Sequence, residues 1–257
     1  MTWKTNKRGM QLGLFPQTDL VPGKGRMLRF RIRLGSPVAC TSFRSPARLP
    51  KMAQSLDEIS AGRFILGLGA GWHEPEYAAF GFPFDHLTTR FEEALQIITP
   101  LLREGSVHFE GHYYQARHAV LLPRGPSPSG PPIWIGARGP RMLELTARYA
   151  HAWNLASWSF SPDRIAQESL RMVEVCERME RDPATLDLTA NVMVHLSSPG
   201  QQVTADDDEI TGTPEEVAEA LQGFAEVGIK HLVISVSPGG VAGIEQFGRV
   251  IELLDEG

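Results

Sequence analysis

From about residue 28 onward, short runs of β-branched and aliphatic residues alternate with stretches whose apolar positions recur every three to four residues. That alternation is the pattern of parallel βαβ units. Leu28–Gly35 reads as a strand, and Ser45 and Pro46 then supply an N-cap and a first helical position. The helix they open carries Leu49, Met52, Ala53, Leu56 and Ile59 on one face and ends near Gly62. Phe64–Gly67 is the next strand, and Phe91, Leu95, Ile98 and Leu102 mark a core-facing helical stripe. Val107–Phe109 and His112–Tyr114 flank Glu110-Gly111 as a small β-hairpin. The Pro/Gly/Ser stretch Pro123–Pro132 leads extended chain into the strand Ile133–Gly136. Helix 140–150, strand Ala152–Leu155, helix 162–181 and strand Leu188–Leu196 follow. Thr213-Pro214-Glu215-Glu216 is a capping box with proline at the first helical position, and strand His231–Val236 and helix 242–255 close the chain. Six strand–helix units suit either a doubly wound sheet or part of a (β/α)8 barrel. Periodicity alone does not separate the two.

At 257 residues and 42% hydrophobic content the chain can bury one substantial core, so a single domain over 1–257 is expected. A net charge of −5 provides no global positive field for nucleic acid. The charge is uneven: residues 1–33 hold eight Lys/Arg against the single acid Asp19. That basic start lacks the apolar run and small-residue cleavage site of a secretory signal. No uninterrupted apolar stretch of about 18 residues exists to span a membrane. Cys40 and Cys176 are too few for a disulfide framework. A reducing cytoplasm fits this composition.

Two glycine-rich segments carry the candidate chemistry. In FILGLGAGWHEPEY, Gly67, Gly69 and Gly71 fall at the C-terminal end of a strand, where α/β folds keep their ligand sites. Glycine there lets backbone approach a flat ring or a phosphate, although a tight strand-to-helix connection needs it equally. The Rossmann spacing fails, because its third glycine would fall on Trp72, and Gly23-Lys24 lacks the rest of a P-loop. Trp72, His73 and Glu74 form a polar cluster beside this strand end, able to line a pocket or to sit in solvent. Gly136-Ala137-Arg138-Gly139-Pro140 follows a strand and opens a helix, which aims free N–H groups and the positive dipole end at an anion. Arg138 can add a bidentate phosphate contact, and plain turn chemistry is the alternative. His108 and His112 lie four apart around Glu110, but in a hairpin that spacing need not make a ligand face, and no third zinc ligand is suggested.

Several of these segments taken together, RIRLGSPV, FRSPARLPKMAQSLDEISAGRFILGLGAGWHEPEYAAFG, FEGHYY, PPIWIGARGPRMLELTARYAHAWN and GTPEEVAEALQGFAEVGIKHL, resemble the bacterial luciferase-like monooxygenase family. The resemblance is strongest to the branch that uses the deazaflavin coenzyme F420. It implies an α/β, TIM-like (β/α)8 barrel with cofactor at the C-terminal strand ends, an insertion after strand four, and commonly a homodimer. F420 is the implied cofactor and FMN the alternative. Carried over by position, Ser36, Pro37 and Val38 form the backbone bend beneath the tricyclic ring. Gly69, Ala70 and Gly71 border that ring, Gly136, Ala137, Arg138 and Gly139 hold the cofactor phosphate, and Trp72, His73, Trp153 and Asn154 face substrate. The implied activity is hydride transfer or oxygenation of a small organic molecule. Two other readings stand beside it, a non-catalytic truncated homologue and a metal-dependent barrel hydrolase. In the family two strand–helix units precede the strand at Leu28–Gly35. Each such unit takes about 30 residues, so residues 1–27 form an atypical segment, and one to two N-terminal units are expected to be lacking. Met10–Phe15 resembles the family's opening strand.

Overall fold

The computed structural model describes residues 11–15, 33–36, 38–155, 161–197 and 209–256. Of the segment 1–27, only residues 11–15 are among them, and they form strand β1 (Gln11–Phe15). Pro37 and residues 28–32 lie outside the described residues, so the strand expected at Leu28–Gly35 is represented by β2 (Leu34–Gly35). In chain order there follow β3 (Ala39–Cys40), α1 (Leu49–Ser60), β4 (Phe64–Gly69), α2 (Glu74–Phe80) and α3 (Leu87–Glu104). Then come β5 (Ser106–Glu110), β6 (Gln115–Val120), β7 (Ile133–Gly136), α4 (Pro140–Tyr149), β8 (Ala152–Leu155) and α5 (Pro162–Arg178). β9 (Asp187–Leu196), β10 (Ile210–Gly212), α6 (Pro214–Glu226), β11 (His231–Ser237) and α7 (Gly240–Glu256) complete the described chain.

These elements form two compact units, residues 32–153 and residues 1–31 with 154–257. In the first, β4 is the central strand, buried along its whole length because FILGLG offers only apolar side chains and glycine. It pairs in parallel with β2 (Leu34 opposite Phe64), with β3 (Ala39 opposite Leu68) and with β7 (Gly67 opposite Trp134). Helix α3 buries Phe91, Ala94, Leu95, Ile97, Ile98, Leu101 and Leu102. Each large side chain among them contributes about 1.5–3 kcal/mol by leaving water. Antiparallel β5 and β6 make the expected hairpin, irregular between Val107 and Phe109. Its second strand starts at Gln115 rather than at His112, because residues 112–114 turn their N–H groups onto a carboxylate instead of a strand. In the second unit β9 pairs in parallel with β11 and with β10, and β1 lies parallel to β11 with Gln11 opposite His231. Residues Gln11–Phe15 of the opening strand expected at Met10–Phe15 thus form a strand, and Met10 lies outside the described residues. Thr213 caps α6 by the predicted reciprocal box, its Oγ1 accepting from the Glu216 N–H while Glu216 accepts from the Thr213 N–H at 2.8 Å.

Helix α1 departs from the sequence expectation in two ways. Ser45 does not cap it: Ser45–Arg48 form a preceding turn, with the N–H groups of Arg48 and Leu49 on the Ser45 carbonyl, and proline at the second helical position, Pro50, opens the helix. The expected apolar stripe is also split. Leu49 and Ala53 are buried together with Gln54, Asp57 and Ser60, while Met52, Leu56 and Ile59 are exposed. A 3.6-residue period fixes which residues share a side, not which side meets the sheet.

Candidate active site

The C-terminal end of β4 is built by close approach to the segment leading into β3. The Ser36 hydroxyl donates to the Gly67 carbonyl at 2.9 Å and accepts from the Gly67 N–H at 3.1 Å. A β-carbon at Gly67 would collide with the Ser36 carbonyl oxygen, and one at Gly69 would stand 3.0 Å from Val38 Cγ2. Gly71 has φ +89°, and a β-carbon there would run into Tyr77 Oη and Cys40 Sγ. The Ala70 carbonyl between these glycines accepts from Tyr77 Oη at 2.6 Å, from Ser42 Oγ at 3.4 Å and from Cys40 Sγ at 3.7 Å. Burial, reinforced by the Cys40 thiol 3.0 Å away, pushes the Tyr77 phenol well above its ordinary range, so it stays protonated and keeps donating. The loop Gly69–Gly71 is therefore fixed from within the protein.

Beside this loop opens a pocket of about 300 Å3 lined by Ser42, Phe43, Arg44, Ser45, Phe82, Pro83, Arg90 and Tyr114. Phe43 is its aromatic wall, with ring centroids 4.7 Å from Tyr77 and 5.0 Å from Phe82. Arg90 pairs with Asp85 at 2.7 Å and lies 4.2 Å over the Tyr113 ring. Tyr114 is delivered by the β5–β6 turn, which is held by Glu93 of α3. That buried carboxylate accepts from the His112, Tyr113 and Tyr114 N–H groups at 2.8, 2.8 and 2.9 Å. Trp72, 81% exposed, and exposed His73 lie outside this pocket's lining and touch each other edge to face.

At β7 the chain passes through Gly136, buried Ala137 and exposed Arg138 to Gly139, whose φ is +79°. Gly139 is the N-cap of α4, and no side chain caps that helix. A β-carbon at Gly139 would meet nothing within 4 Å. Uncapped N–H groups, open space and a neighbouring guanidinium suit a phosphate. Trp153 is buried and props this loop, its indole N–H donating to the Ala137 carbonyl at 3.1 Å.

Asn154 belongs to the second unit and is fully buried there. Its Nδ2 donates to Thr189 Oγ1 at 3.0 Å and to Asn191 Oδ1 at 3.2 Å, and Asn191 Nδ2 returns a bond to Asn154 Oδ1 at 3.2 Å. Thr189 and Asn191 were not singled out by sequence, although polar residues two apart in an apolar strand share one face and are a readable signal. His195 and Glu209 form a further half-buried contact of 2.9 Å in the same unit. Among the described residues no group of three or more metal-ligating side chains comes together, and no helix is long and apolar enough to cross a membrane.

Parallel strands connected through helices, with glycine loops at the strands' C-terminal ends, define an α/β fold of the TIM-like (β/α)8-barrel class. Residues 30–207 match the sequence profile of the family described as luciferase-like monooxygenase, and the chain belongs to that family. It is 34% identical over 186 residues to a phthiodiolone/phenolphthiodiolone dimycocerosates ketoreductase of Mycobacterium sp. (strain JLS), covering 67% of this chain and 48% of that protein. The chain thus spans about half the length of that relative. It is 28% identical over 252 residues to an F420-dependent glucose-6-phosphate dehydrogenase of Intrasporangium calvum, covering 81% and 75% of the two chains. The coenzyme F420-dependent tetrahydromethanopterin reductase of Methanopyrus kandleri superposes with a TM-score of 0.73 at 20% identity, over 87% of this chain and 83% of that one. A monooxygenase of Streptomyces bottropensis gives a TM-score of 0.73 at 22% identity, over 88% and 77%. These two structures share the fold.

Proposed function

We propose that the protein is an oxidoreductase that binds coenzyme F420, with FMN as the alternative, and acts on a small organic substrate. The observation that carries this reading is the Gly136–Gly139 loop, where an uncapped helix N-terminus, the open space at Gly139 and exposed Arg138 meet. The F420-dependent relative in Intrasporangium calvum supports the deazaflavin over FMN. When bound, F420 supplies two-electron hydride transfer, whereas FMN adds activation of oxygen.

The chain's own residues bind and orient. Gly136, Ala137 and Gly139 present backbone to the phosphate and Arg138 adds charge. Trp153 holds the loop from behind through the Ala137 carbonyl. Ser36 and Val38 brace the β4 end, against which Gly69, Ala70 and Gly71 offer a rigid backbone edge to the ring. Trp72 and His73, exposed next to that edge, face substrate in this reading. A homodimer belongs to the same reading on the strength of the family resemblance, and a cytoplasmic location on the strength of a composition with only two cysteines.

The test is a fluorescence titration of F420 and of FMN into the unmodified protein and Arg138→Ala. A charge-assisted phosphate contact is worth about 1.5–3 kcal/mol, so the variant should bind the preferred cofactor roughly ten- to hundredfold more weakly. Equal affinities remove Arg138 from the site, and no binding of either cofactor overturns the reading.

A further inference from the structure

From the pocket at the β4 loop we infer a substrate-anchoring site for a flat, largely aromatic molecule that bears a carboxylate, with Arg44 and Tyr114 as its recognition groups. The inference rests on the oxidoreductase reading for the word substrate, and on the pocket itself for the chemistry. Its volume of about 300 Å3 is at the small end for ligand sites. Phe43, Phe82 and Pro83 supply the apolar walls, and a flat ring is what stacks against such surfaces.

The polar lining consists of two arginines, two serines and a tyrosine, with no carboxylate among them. The Arg90 charge is already balanced, because its Nε and a terminal nitrogen both reach Asp85 Oδ1, at 2.9 and 2.7 Å. Arg44 is different. Among the described residues the one hydrogen bond of its exposed side chain is to a neutral group, the Cys40 carbonyl at 3.0 Å, and no carboxylate pairs with it. One positive charge is thus left over at the pocket. Opposite-signed ligands are the ones such a charge selects, and guanidinium matches a carboxylate in shape. Burial pushes the Tyr114 phenol up despite the nearby Arg90 charge, so it stays protonated and can donate to the same anion.

Position supports the assignment. Ser42 and Phe43 tie the pocket wall to the β4 loop, through the Ala70 carbonyl and the Tyr77 ring respectively. A molecule anchored there lies next to the backbone edge offered to the cofactor ring. The proposed phosphate seat is at another loop, after β7, which leaves the Arg44 charge for a second anion.

Benzoate and its neutral analogue benzamide are the probes, titrated by calorimetry or ligand-observed NMR into cofactor-free protein, Arg44→Ala and Tyr114→Phe. Benzoate should bind at least tenfold more tightly than benzamide, and added salt should narrow the difference. Arg44→Ala should erase the preference while leaving benzamide binding and the melting temperature unchanged, and Tyr114→Phe should reduce benzoate affinity severalfold. Equal binding of the two probes, or an unchanged preference in Arg44→Ala, overturns the inference. So does competitive displacement of benzoate by F420 or FMN, which would assign the pocket to the cofactor. If benzoate behaves as expected while neither cofactor binds, the carboxylate site stands and the oxidoreductase reading falls.

Discussion

Glu93 is the residue whose removal should tell most about how this site is held. Its two oxygens collect three consecutive backbone N–H groups, His112 on Oε1 and Tyr113 and Tyr114 on Oε2, all within 2.9 Å. Successive N–H groups converging on one carboxylate form an anion nest, and here the anion comes from the protein's own α3. Glu93→Ala leaves all three donors without a partner. A buried donor left unsatisfied costs about 1–3 kcal/mol, but His112 is exposed and water can replace part of the loss. A net destabilisation of about 2–4 kcal/mol is expected. Glu93→Gln keeps one oxygen but turns an amide NH2 toward the remaining donor, so about 1.5–3 kcal/mol is expected. Urea unfolding, with the midpoint shifted at constant slope, reads the total. Hydrogen exchange at residues 112–114 reads the local part, since these amides should lose protection in both variants. A Glu93→Ala effect below about 0.5 kcal/mol, the range of an ordinary surface substitution, together with unchanged exchange, would refute the nest as a structural anchor.

Two further predictions concern the fold. Thr213→Ala should cost about 0.5–2 kcal/mol by opening the capping box of α6, with Thr213→Ser retaining most of the stability, and equal melting for all three proteins removes the cap from the account. Tyr77 titrates at its ordinary value of 10.0 when unfolded but well above it when folded, mainly through burial, so the stability it contributes is complete below pH 10.0 and is lost as pH rises from there toward the folded value. Tyr77→Phe should therefore flatten the fall in melting temperature above about pH 10; an unchanged slope would assign that fall to other groups.

The elements legible in the sequence are those where local chemistry and burial agree. The α6 box was readable because Thr213, Pro214 and Glu216 each satisfy a backbone requirement at a fixed offset. β4 and β7 were readable because a short apolar run bounded by glycine has few other fates. Helix α1 was misread because Gln54 and Asp57 are buried despite their polarity, with no hydrogen-bond partners for their side-chain atoms among the described residues, and that runs against any hydropathy argument. The Glu93 nest was missed for a different reason. Nothing in spacing couples a glutamate on a helix to N–H groups about twenty residues later, and only the folded hairpin brings them together.

The two glycine loops, similar on the page of sequence, differ in what their missing side chains leave behind. At Gly67, Gly69 and Gly71 the space a β-carbon would take is already claimed by Ser36, Val38, Tyr77 and Cys40. Glycine is required there by the protein's own packing, whether or not a ligand ever arrives. It follows that Gly71→Val would disturb Tyr77 and the Ala70 carbonyl directly, and weaker cofactor binding by that variant would not locate a ring beside Gly71. At Gly139 the same space is empty and the N–H groups behind it are uncapped by any side chain. Only the second loop has the form of a cradle. The first is a wall, made rigid by three donors on one carbonyl, and a wall beside a pocket orients a bound molecule without having to grip it.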